Sequence, residues 1–258
     1  MTRHVLLTGA VGQIGGLLRA GLPSTGWTLR CLDTADMGAA RDGEELIRGD
    51  ITDLDAVLAA TTGVAAVVHM GGLSSEAAYD EIRRVNIDGT YHVLESARRA
   101  GVRRVVLASS NHAVGFTPRA TCVPVDTRPR PDTFYGVSKV AGEALGSLYA
   151  DRYGLDVVCL RIGTQRPRPV HPRHLSTWLS DADAVRLVDA ALSAASPRFA
   201  VVYGISANTR GWWDLEPGRA LGYHPVDDAE DYASEIGDDV DTYQGFLGGE
   251  FTGPEYDQ

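Results

Sequence analysis

The chain has 258 residues, of which 44% are hydrophobic, and it carries a formal net charge of −10. This length fits one large globular domain or two small ones. The acidic balance argues against nucleic acid or an anionic membrane as a partner, and no apolar run approaches the roughly 20 residues that a membrane-spanning helix needs.

Short apolar runs alternate with helix-length amphipathic segments along the chain. The apolar runs predict strands at residues 4–8, 28–33, 45–49, 64–70, 104–109, 155–162 and 199–203. The segments between them predict helices at residues 12–22, 53–61, 76–100, 133–153 and 182–195. Strands joined by helical crossovers predict an α/β fold of the Rossmann type, with a doubly wound parallel sheet. We expect a single domain, in which residues 1–163 form the core and residues 164–258 form a substrate loop and a small region that covers the substrate.

A glycine-rich segment follows the first predicted strand and opens the first predicted helix. It runs Thr8-Gly9-Ala10-Val11-Gly12-Gln13-Ile14-Gly15. Glycines at these positions allow a tight turn and let backbone amides approach a pyrophosphate at the positive end of the helix. Asp33 ends the second predicted strand, where a carboxylate accepts hydrogen bonds from the adenosine ribose and repels a 2′-phosphate. The segment therefore predicts a dinucleotide site that prefers NAD to NADP.

Other candidate cofactor contacts follow the third and fourth predicted strands, because ligands of such sheets bind beyond the carboxyl ends of the strands. Asp50 and Ile51 are expected to border the adenine ring. Met70, Gly71 and Gly72 follow the fourth strand, and their small size would let the backbone pass close to the cofactor. An ordinary strand-ending turn is the alternative explanation of the two glycines.

The strongest catalytic signal is Tyr135-Gly136-Val137-Ser138-Lys139, at the start of the helix after the fifth strand. Residues four apart share one helical face, so the phenol and the ammonium are expected to point into the same cleft. A fixed cation stabilises a phenolate and lowers the pKa of the tyrosine toward neutrality. Lys139 is the only lysine among 24 basic residues, which makes the spacing hard to explain as an exposed lysine behind a packing tyrosine.

Polar residues end the strands on either side of that helix. The run Ser109-Ser110-Asn111-His112 ends the fifth strand, and a serine hydroxyl there can hold the reacting oxygen, although Ser109 alone could equally be a capping or packing hydroxyl. A positively charged loop follows the sixth strand: Arg166, Arg168, His171, Arg173 and His174. This loop suits a small anionic substrate, with a solvated basic loop as the alternative. The spacing His171-x-x-His174 lacks a third ligand, so no metal site is predicted.

These motifs together resemble the extended short-chain dehydrogenase/reductase superfamily, and Val85-Asn86-Ile87-Asp88-Gly89-Thr90 is similar to the helix that bears its active-site Asn. More narrowly, the chain is similar to the uronate dehydrogenases, nearly from end to end. That likeness rests on the following runs: Gly71-Gly72-Leu73-Ser74, Ala108-Ser109-Ser110-Asn111-His112, Tyr135-Gly136-Val137-Ser138-Lys139, Arg161-Ile162-Gly163, Leu175-Ser176-Thr177-Trp178, Ser206-Ala207-Asn208 and Gly211-Trp212-Trp213-Asp214.

The resemblance implies oxidation of a hexuronic acid, such as glucuronate or galacturonate, at C1 to the aldarolactone, with reduction of NAD to NADH. It implies three catalytic residues: Ser110, Tyr135 and Lys139. The substrate-binding residues it implies are Ser74, Ser110, Asn111, His112, Tyr135, Thr164 and Arg173. Within that set Arg173 matches the carboxylate clamp, and Thr164 stands where the family is expected to carry serine. The predicted cofactor-binding residues are Gly9, Gly12, Gln13, Ile14, Gly15, Asp33, Asp50, Ile51, Met70, Gly71, Gly72, Asn86, Tyr135, Lys139 and Ile162.

Two alternative functions remain open on the residues alone. A sugar-nucleotide epimerase or dehydratase shares the same catalytic core, although such enzymes usually carry a larger C-terminal lobe. A non-catalytic NAD-sensing regulator would not need the Ser-Tyr-Lys set. Trp212 and Trp213 could wall the sugar site or pack the tail against the core.

Two further expectations concern the assembly and the location of the chain. We expect a homo-oligomer, because helices corresponding to residues 76–100 and 133–153 pair between subunits across the superfamily. Cysteines occur at unrelated positions, and Cys31 and Cys159 fall inside apolar runs, which indicates free thiols and a cytoplasmic protein.

Overall fold

A computed structural model of the chain describes residues 3–236 and 245–256. Across these residues, seven parallel strands form one sheet: β1 (His4–Thr8), β2 (Thr28–Asp33), β3 (Glu44–Arg48), β4 (Ala66–His69), β5 (Arg104–Ser110), β6 (Asp156–Ile162) and β9 (Phe199–Gly204). Two further strands, β7 (Thr164–Gln165) and β8 (Trp178–Leu179), pair in a small sheet of their own.

Helices cover both faces of the large sheet. The α-helices are α1 (Gln13–Gly21), α2 (Leu54–Thr61), α3 (Tyr79–Ile82), α4 (Gly89–Ala100), α5 (Phe134–Tyr153), α6 (His174–Thr177), α7 (Asp181–Ser193) and α8 (Glu216–Ala220). Short 3₁₀ helices span Leu22–Thr25, Asn111–Val114, Ala229–Glu235, Gly249–Thr252 and Pro254–Tyr256. One hydrophobic core lies between the sheet and α1 and α7, and a second lies between the sheet and α2, α4 and α5.

The order of the strands is β3-β2-β1-β4-β5-β6-β9. The chain runs outward from β1 through β2 to β3 and then returns to β4 on the other side of β1, so the carboxyl ends of β1 and β4 open a crevice between them. Thr8 lies opposite His69 in the register of these two strands. This arrangement confirms the predicted α/β, doubly wound Rossmann-type fold.

Local signals explain why the helices begin and end where they do. The side chain of Asp53 accepts hydrogen bonds from the first-turn amides of α2, and Thr133 accepts one from the Gly136 amide at the start of α5. Helices α4 and α5 end at Gly101 and Gly154, with φ values of 72° and 73°, a left-handed conformation that glycine adopts without strain.

The predicted helix over residues 76–100 is wrong at its start. The helix begins at Tyr79, and the π-helical segment Arg83–Asp88 interrupts it before α4. Glu76 instead lies in the preceding loop, where its carboxylate accepts hydrogen bonds from the backbone amides of Phe134 and Tyr135. An anion is stabilised at a helix N-terminus, and this tertiary contact holds Glu76 out of its own helix.

The end of the described chain returns to the carboxyl edge of the sheet. Leu247 and Gly248 donate backbone hydrogen bonds to the carbonyls of Thr117 and Gly115, and Arg119 donates one to the carbonyl of Gly245. Residues 237–244 and 257–258 of the predicted covering region lie outside the described residues. None of the helices described is long and apolar enough to cross a membrane.

The cysteines lie where their sequence surroundings indicate. Cys31 and Cys159 are buried, Cys122 is exposed, and all three are free thiols.

Candidate active site

Tyr135 and Lys139 lie together on the first turns of α5, at the carboxyl edge of the sheet. The backbone amide of Tyr135 donates to Glu76 Oε2 at 2.7 Å, which anchors the start of the helix. Lys139 Nζ donates to the carbonyl of Ala108 on β5 at 2.9 Å and lies 5.2 Å from the centre of the Tyr135 ring. The helical spacing therefore brings the phenol and the ammonium to one side of the helix, as the sequence predicts.

Burial controls the titration of both groups. It raises the pKa of Tyr135 to about 12, against a hydrogen bond from the Ser110 hydroxyl that lowers it. Burial also lowers the pKa of Lys139 to about 8, because a low-dielectric surrounding disfavours the charged form. The expected net lowering of the Tyr135 pKa is not found, because burial of the phenol raises it.

The structure distinguishes the two serines at the end of β5. Ser110 forms a hydrogen bond with the Tyr135 side chain. Its Oγ also accepts a hydrogen bond from the backbone amide of His112 at 3.2 Å. Ser109 points to the opposite face, as neighbouring strand residues must, and donates to Glu143 Oε1 at 2.6 Å. Glu143 is held in turn by a two-pronged contact with Arg161, at 2.8 and 2.9 Å. Of the two, only Ser110 faces the tyrosine.

The glycine turn between β1 and α1 has the shape of a phosphate cradle. Gly9 has a φ of 70°, and a Cβ there would lie 2.6 Å from the amide nitrogen of Gly71. A Cβ on Gly15 would lie 1.9 Å from the Gly9 carbonyl oxygen. No side chain caps α1 at Gly12, so its first-turn amides face the crevice at the positive end of the helix. Asp33 lies beside the turn, and its carboxylate accepts a hydrogen bond from the Val11 amide at 2.9 Å. These residues fit a dinucleotide.

The other candidate cofactor residues lie at or just beyond the carboxyl ends of β3, β4 and β6. The Asp50 carboxylate accepts a hydrogen bond from the amide of Thr52 at 2.8 Å. Ile51 is buried, and its carbonyl accepts a hydrogen bond from His92 Nδ1 at 2.9 Å. Met70 packs against the core on the α1 side. Ile162 is buried at the end of β6.

Asn86 and Gln13 make contacts that the sequence does not indicate. Asn86 Oδ1 accepts the amide of Leu73 at 2.8 Å, while its Nδ2 donates to the Leu73 carbonyl and to Ser138 Oγ. Asn86 therefore links the loop after β4, through Leu73, to α5, through Ser138. Gln13 Nε2 donates to the carbonyl of Gln165 at 2.7 Å, which links the glycine turn to the small sheet that follows β6.

Arg173 lies beside the serine–tyrosine pair. With the Asn111 amide oriented to satisfy both of its ends, Asn111 Nδ2 donates to the Ile162 carbonyl at 3.1 Å and its oxygen accepts from Arg173 at 3.2 Å. The Arg173 guanidinium also donates to the carbonyl of Leu247, and a Cβ on Gly249 would lie 2.7 Å from Arg173 Nε. The returning C-terminal segment thus packs directly on the predicted carboxylate clamp.

The remaining candidate substrate residues lie at different depths. His112 Nδ1 is 2.7 Å from Asp132 Oδ2, and Thr164 Oγ1 is 2.9 Å from Thr177 Oγ1. Ser74 is exposed on the loop after β4. Five of the positions assigned to substrate thus lie at the end of β5 or in the segment after β6, namely Ser110, Asn111, His112, Thr164 and Arg173, whereas Ser74 is exposed in the loop after β4.

His69 is a site residue that sequence reasoning missed. It is buried at the end of β4, with Nδ1 2.7 Å from Thr8 Oγ1 and Nε2 3.2 Å from Thr90 Oγ1. Burial, followed by the charge of Lys139, lowers its pKa to about 3, so the ring is neutral. The signal that could have found it is a titratable residue at the carboxyl end of a central strand.

The basic loop is partly neutralised by the chain itself. Arg168 is 3.1 Å from Glu235, and burial lowers the pKa of His174 to about 4.

Trp213 is buried against Tyr203, with ring centres 4.8 Å apart, so it packs the tail on the core. Among residues 3–236 and 245–256, no three His, Cys, Asp or Glu side chains are grouped to hold a metal ion.

Comparison with known proteins agrees with this geometry. The model of the NAD dependent epimerase/dehydratase family matches residues 5–181. The chain belongs to this family. It is 42% identical to the uronate dehydrogenase of Pseudomonas syringae pv. tomato, over 90% of this chain and 85% of the relative.

Two other similar proteins add to the comparison. The crystal structure of a mutant uronate dehydrogenase from Agrobacterium tumefaciens complexed with NAD is 38% identical, with a TM-score of 0.92, and the match covers 98% of this chain and 97% of that one. A Haloferax volcanii protein named NAD-dependent glucose-6-phosphate dehydrogenase is 36% identical, over 91% of this chain and 97% of the relative.

Proposed function

We propose that the chain oxidises a hexuronic acid, such as glucuronate or galacturonate, at C1 while NAD is reduced to NADH. The immediate product is the aldarolactone, which then opens to the aldaric acid. The observation that carries the proposal is the Arg173 guanidinium, which contacts Asn111 at 3.2 Å and so lies beside Ser110 and Tyr135. A guanidinium there matches a sugar carboxylate. The uronate dehydrogenase relatives support the same substrate class.

Tyr135 is the proton acceptor in this proposal. Its phenolate takes the proton of the C1 hydroxyl as the C1–H bond breaks. Ser110, which already bonds the tyrosine, holds the reacting oxygen in line with it. Burial holds the Tyr135 pKa near 12, so the phenol needs nearby positive charge to act as a base. Lys139, 5.2 Å from the ring, supplies that charge.

NAD, when bound, supplies the carbon that accepts the hydride. The glycine turn would hold its pyrophosphate, Asp33 the adenosine ribose and Lys139 the nicotinamide ribose. Gly9 and Gly15 have no room for a larger side chain. This supports the assignment, because the absence of side chains leaves the backbone amides of the turn open to a phosphate.

The substrate is oriented by its carboxylate. Arg173 grips the carboxylate, and Asn111, His112, Thr164 and Ser74 bind the ring hydroxyls. Anchoring the far end of the sugar decides which carbon meets Tyr135, because a small shift of the reacting atoms costs a large factor in rate.

The test is a spectrophotometric assay of NADH formation with NAD and a panel of sugars. Glucuronate and galacturonate are compared with glucose, L-arabinose and glucose 6-phosphate, since relatives bear the names of dehydrogenases for the last two. We expect kcat/KM for a uronate to exceed that for glucose by about tenfold or more, the value of one charge-assisted contact.

The other outcomes separate the rival functions. Equal values of kcat/KM for glucose and the uronates would show that the enzyme does not recognise the carboxylate, and would contradict the proposal. Conversion of a sugar nucleotide without net NADH would indicate an epimerase or dehydratase. Binding of NAD without turnover of any substrate would indicate a regulator.

We also propose a homo-oligomer, paired through α3, α4 and α5. Six large apolar side chains on these helices are between 38% and 49% exposed: Tyr79, Tyr91, Phe134, Val137, Leu148 and Tyr153. Exposed apolar groups in contact with one another, such as the rings of Tyr79 and Phe134 with centres 5.3 Å apart, are typical of a contact with another chain. Light scattering should give a mass above that of one chain. Leu148→Glu should lower this mass, whereas Val226→Glu, at an exposed site elsewhere, should not change it.

The cytoplasmic location stays a prediction from the sequence.

A further inference from the structure

Asp132 is a buried carboxylate that no part of the proposed mechanism uses. It lies immediately before α5, and its side chain has no exposed surface. Its Oδ2 is 2.7 Å from His112 Nδ1, and its Oδ1 accepts the Thr133 hydroxyl at 3.1 Å. A buried carboxylate is costly unless it is paired or hydrogen-bonded, so the contact with His112 is a principal reason that it is tolerated.

Three glycines from separate segments make room for this carboxylate. A Cβ on Gly115 or Gly248 would lie 1.8 or 2.0 Å from Asp132 Oδ2, and a Cβ on Gly136 would lie 3.1 Å from Oδ1. The turn after β5, the start of α5 and the returning C-terminal segment therefore close around Asp132. The carboxylate occupies a fitted slot rather than a chance position.

The carboxylate decides which nitrogen of His112 carries the proton. An ionised carboxylate only accepts hydrogen bonds, so the partner atom Nδ1 must be protonated. In the neutral ring Nε2 is then left as an acceptor. The ring is also held in place, with its centre 4.1 Å from that of Phe251 and 5.9 Å from that of Tyr135, and the His112 amide donates to Ser110.

We propose that Asp132 is a positioning residue that keeps His112 protonated on Nδ1, so that Nε2 accepts a hydrogen bond from a hydroxyl of the bound sugar. The proposal rests on the proposed function, in which His112 contacts the substrate. The proposal adds a second determinant of specificity. His112 favours a sugar with a hydroxyl that can donate to Nε2, while Arg173 favours a sugar with a carboxylate.

The first experiment reads the tautomer directly, from the ¹⁵N chemical shifts of the His112 imidazole in the ligand-free protein. The His112→Gln spectrum assigns the signals. In the native protein we expect Nδ1 to carry the proton and Nε2 to be unprotonated. Asp132→Asn should shift the ring toward protonation on Nε2, because a side-chain amide can donate to Nδ1 where a carboxylate cannot. Asp151→Asn, the same change at an exposed position on α5, should leave the spectrum unchanged.

The second experiment is a kinetic double-mutant cycle. Asp132→Asn should raise KM for the uronate about tenfold, the cost of one lost hydrogen bond to a neutral group, and leave KM for NAD within about twofold. In the His112→Gln background the same change should have less than about a twofold effect. Asp132 also contributes, after burial, to the raised pKa of Tyr135. A direct effect of its charge on the tyrosine would instead persist without His112.

Several results would overturn the proposal. A native His112 ring protonated on Nε2, an unchanged tautomer in Asp132→Asn, or equal losses with and without His112 would each do so. If Asp132→Asn does not fold, the native spectrum alone still decides. The tautomer is read without substrate, so failure of the uronate assay with the expected spectrum would reject the proposed function and leave the Asp132–His112 arrangement standing.

Discussion

The two halves of the crevice are built on different principles. The dinucleotide half consists of one short turn, in which glycines bring backbone amides to the end of α1 without a side-chain cap. The substrate half consists of side chains, and other parts of the chain hold them: Asn111 and the carbonyl of Leu247 contact Arg173, and Asp132 contacts His112.

The two halves should therefore be sensitive to different substitutions. The turn presents backbone amides, and the groups that fix its geometry belong to the adjacent strands and to the residues that follow them, such as Asp33 and Gly71. A set of side chains held by distant partners depends on every partner. We therefore expect substrate affinity to respond to changes that leave dinucleotide affinity untouched, and the reverse.

The largest effect should come from Tyr135, where the two halves meet. Tyr135→Phe should lower kcat by about 10²–10⁴, the usual contribution of a general acid–base group, and leave the NADH affinity from fluorescence titration within about twofold. Tyr153→Phe, the same deletion at an exposed position of α5, should keep full activity. Near-normal turnover by Tyr135→Phe would reject the catalytic assignment.

Arg173 tests the substrate half alone. Arg173→Ala should raise KM for the uronate about 10–100-fold, because a hydrogen bond between charged groups contributes about 1.5–3 kcal/mol, and KM for NAD should not change. Steady-state kinetics with each substrate varied would measure both. Arg168→Ala, at an exposed arginine paired with Glu235, is the matched control. An unchanged uronate KM in Arg173→Ala would remove its proposed role.

Asp33 tests the dinucleotide half alone. Asp33→Asn should lower the ratio of kcat/KM with NAD to kcat/KM with NADP by about tenfold, because the charge that repels a 2′-phosphate is lost. KM for the uronate should stay constant, and Asp42→Asn, at an exposed position, should leave the ratio unchanged. A loss of uronate affinity in Asp33→Asn would contradict the separation of the two halves.

His69 tests folding stability rather than the rate or affinity of either half. Its folded pKa is lowered to about 3, so between pH 6.5 and 3 the unfolded chain binds the proton and the folded chain does not. Stability is therefore lost as the pH falls through this window, by about 2 kcal/mol at pH 5.

Thermal unfolding at pH 7 and pH 5 measures this loss. His69→Gln should reduce the difference between the two melting temperatures, and His224→Gln, at an exposed histidine, should not. An equal pH dependence in native protein and His69→Gln would show that His69 does not titrate as its burial requires.

The amino-acid pattern predicts the layers of the fold and the part of the site that is built from residues close in the chain. Alternating apolar runs and amphipathic segments predict the seven strands within about two residues of their observed bounds, because burial on both faces of a parallel sheet requires such runs. Tyr135 and Lys139 share a helical face because an α-helix has 3.6 residues per turn. The glycine turn and Asp33 likewise depend on neighbours in the chain or on adjacent strands.

The substrate side of the site depends on contacts between segments that are distant in the chain. Strand alternation requires Ser109 and Ser110 to face opposite ways, but the packing of α5, with Glu143 taking the Ser109 hydroxyl, decides which one meets Tyr135. Arg173 meets Leu247, 74 positions away, and His112 meets Asp132, 20 positions away. No periodicity links such pairs, because their separation in the chain is set by how the loops cross the sheet edge rather than by the geometry of a helix or strand.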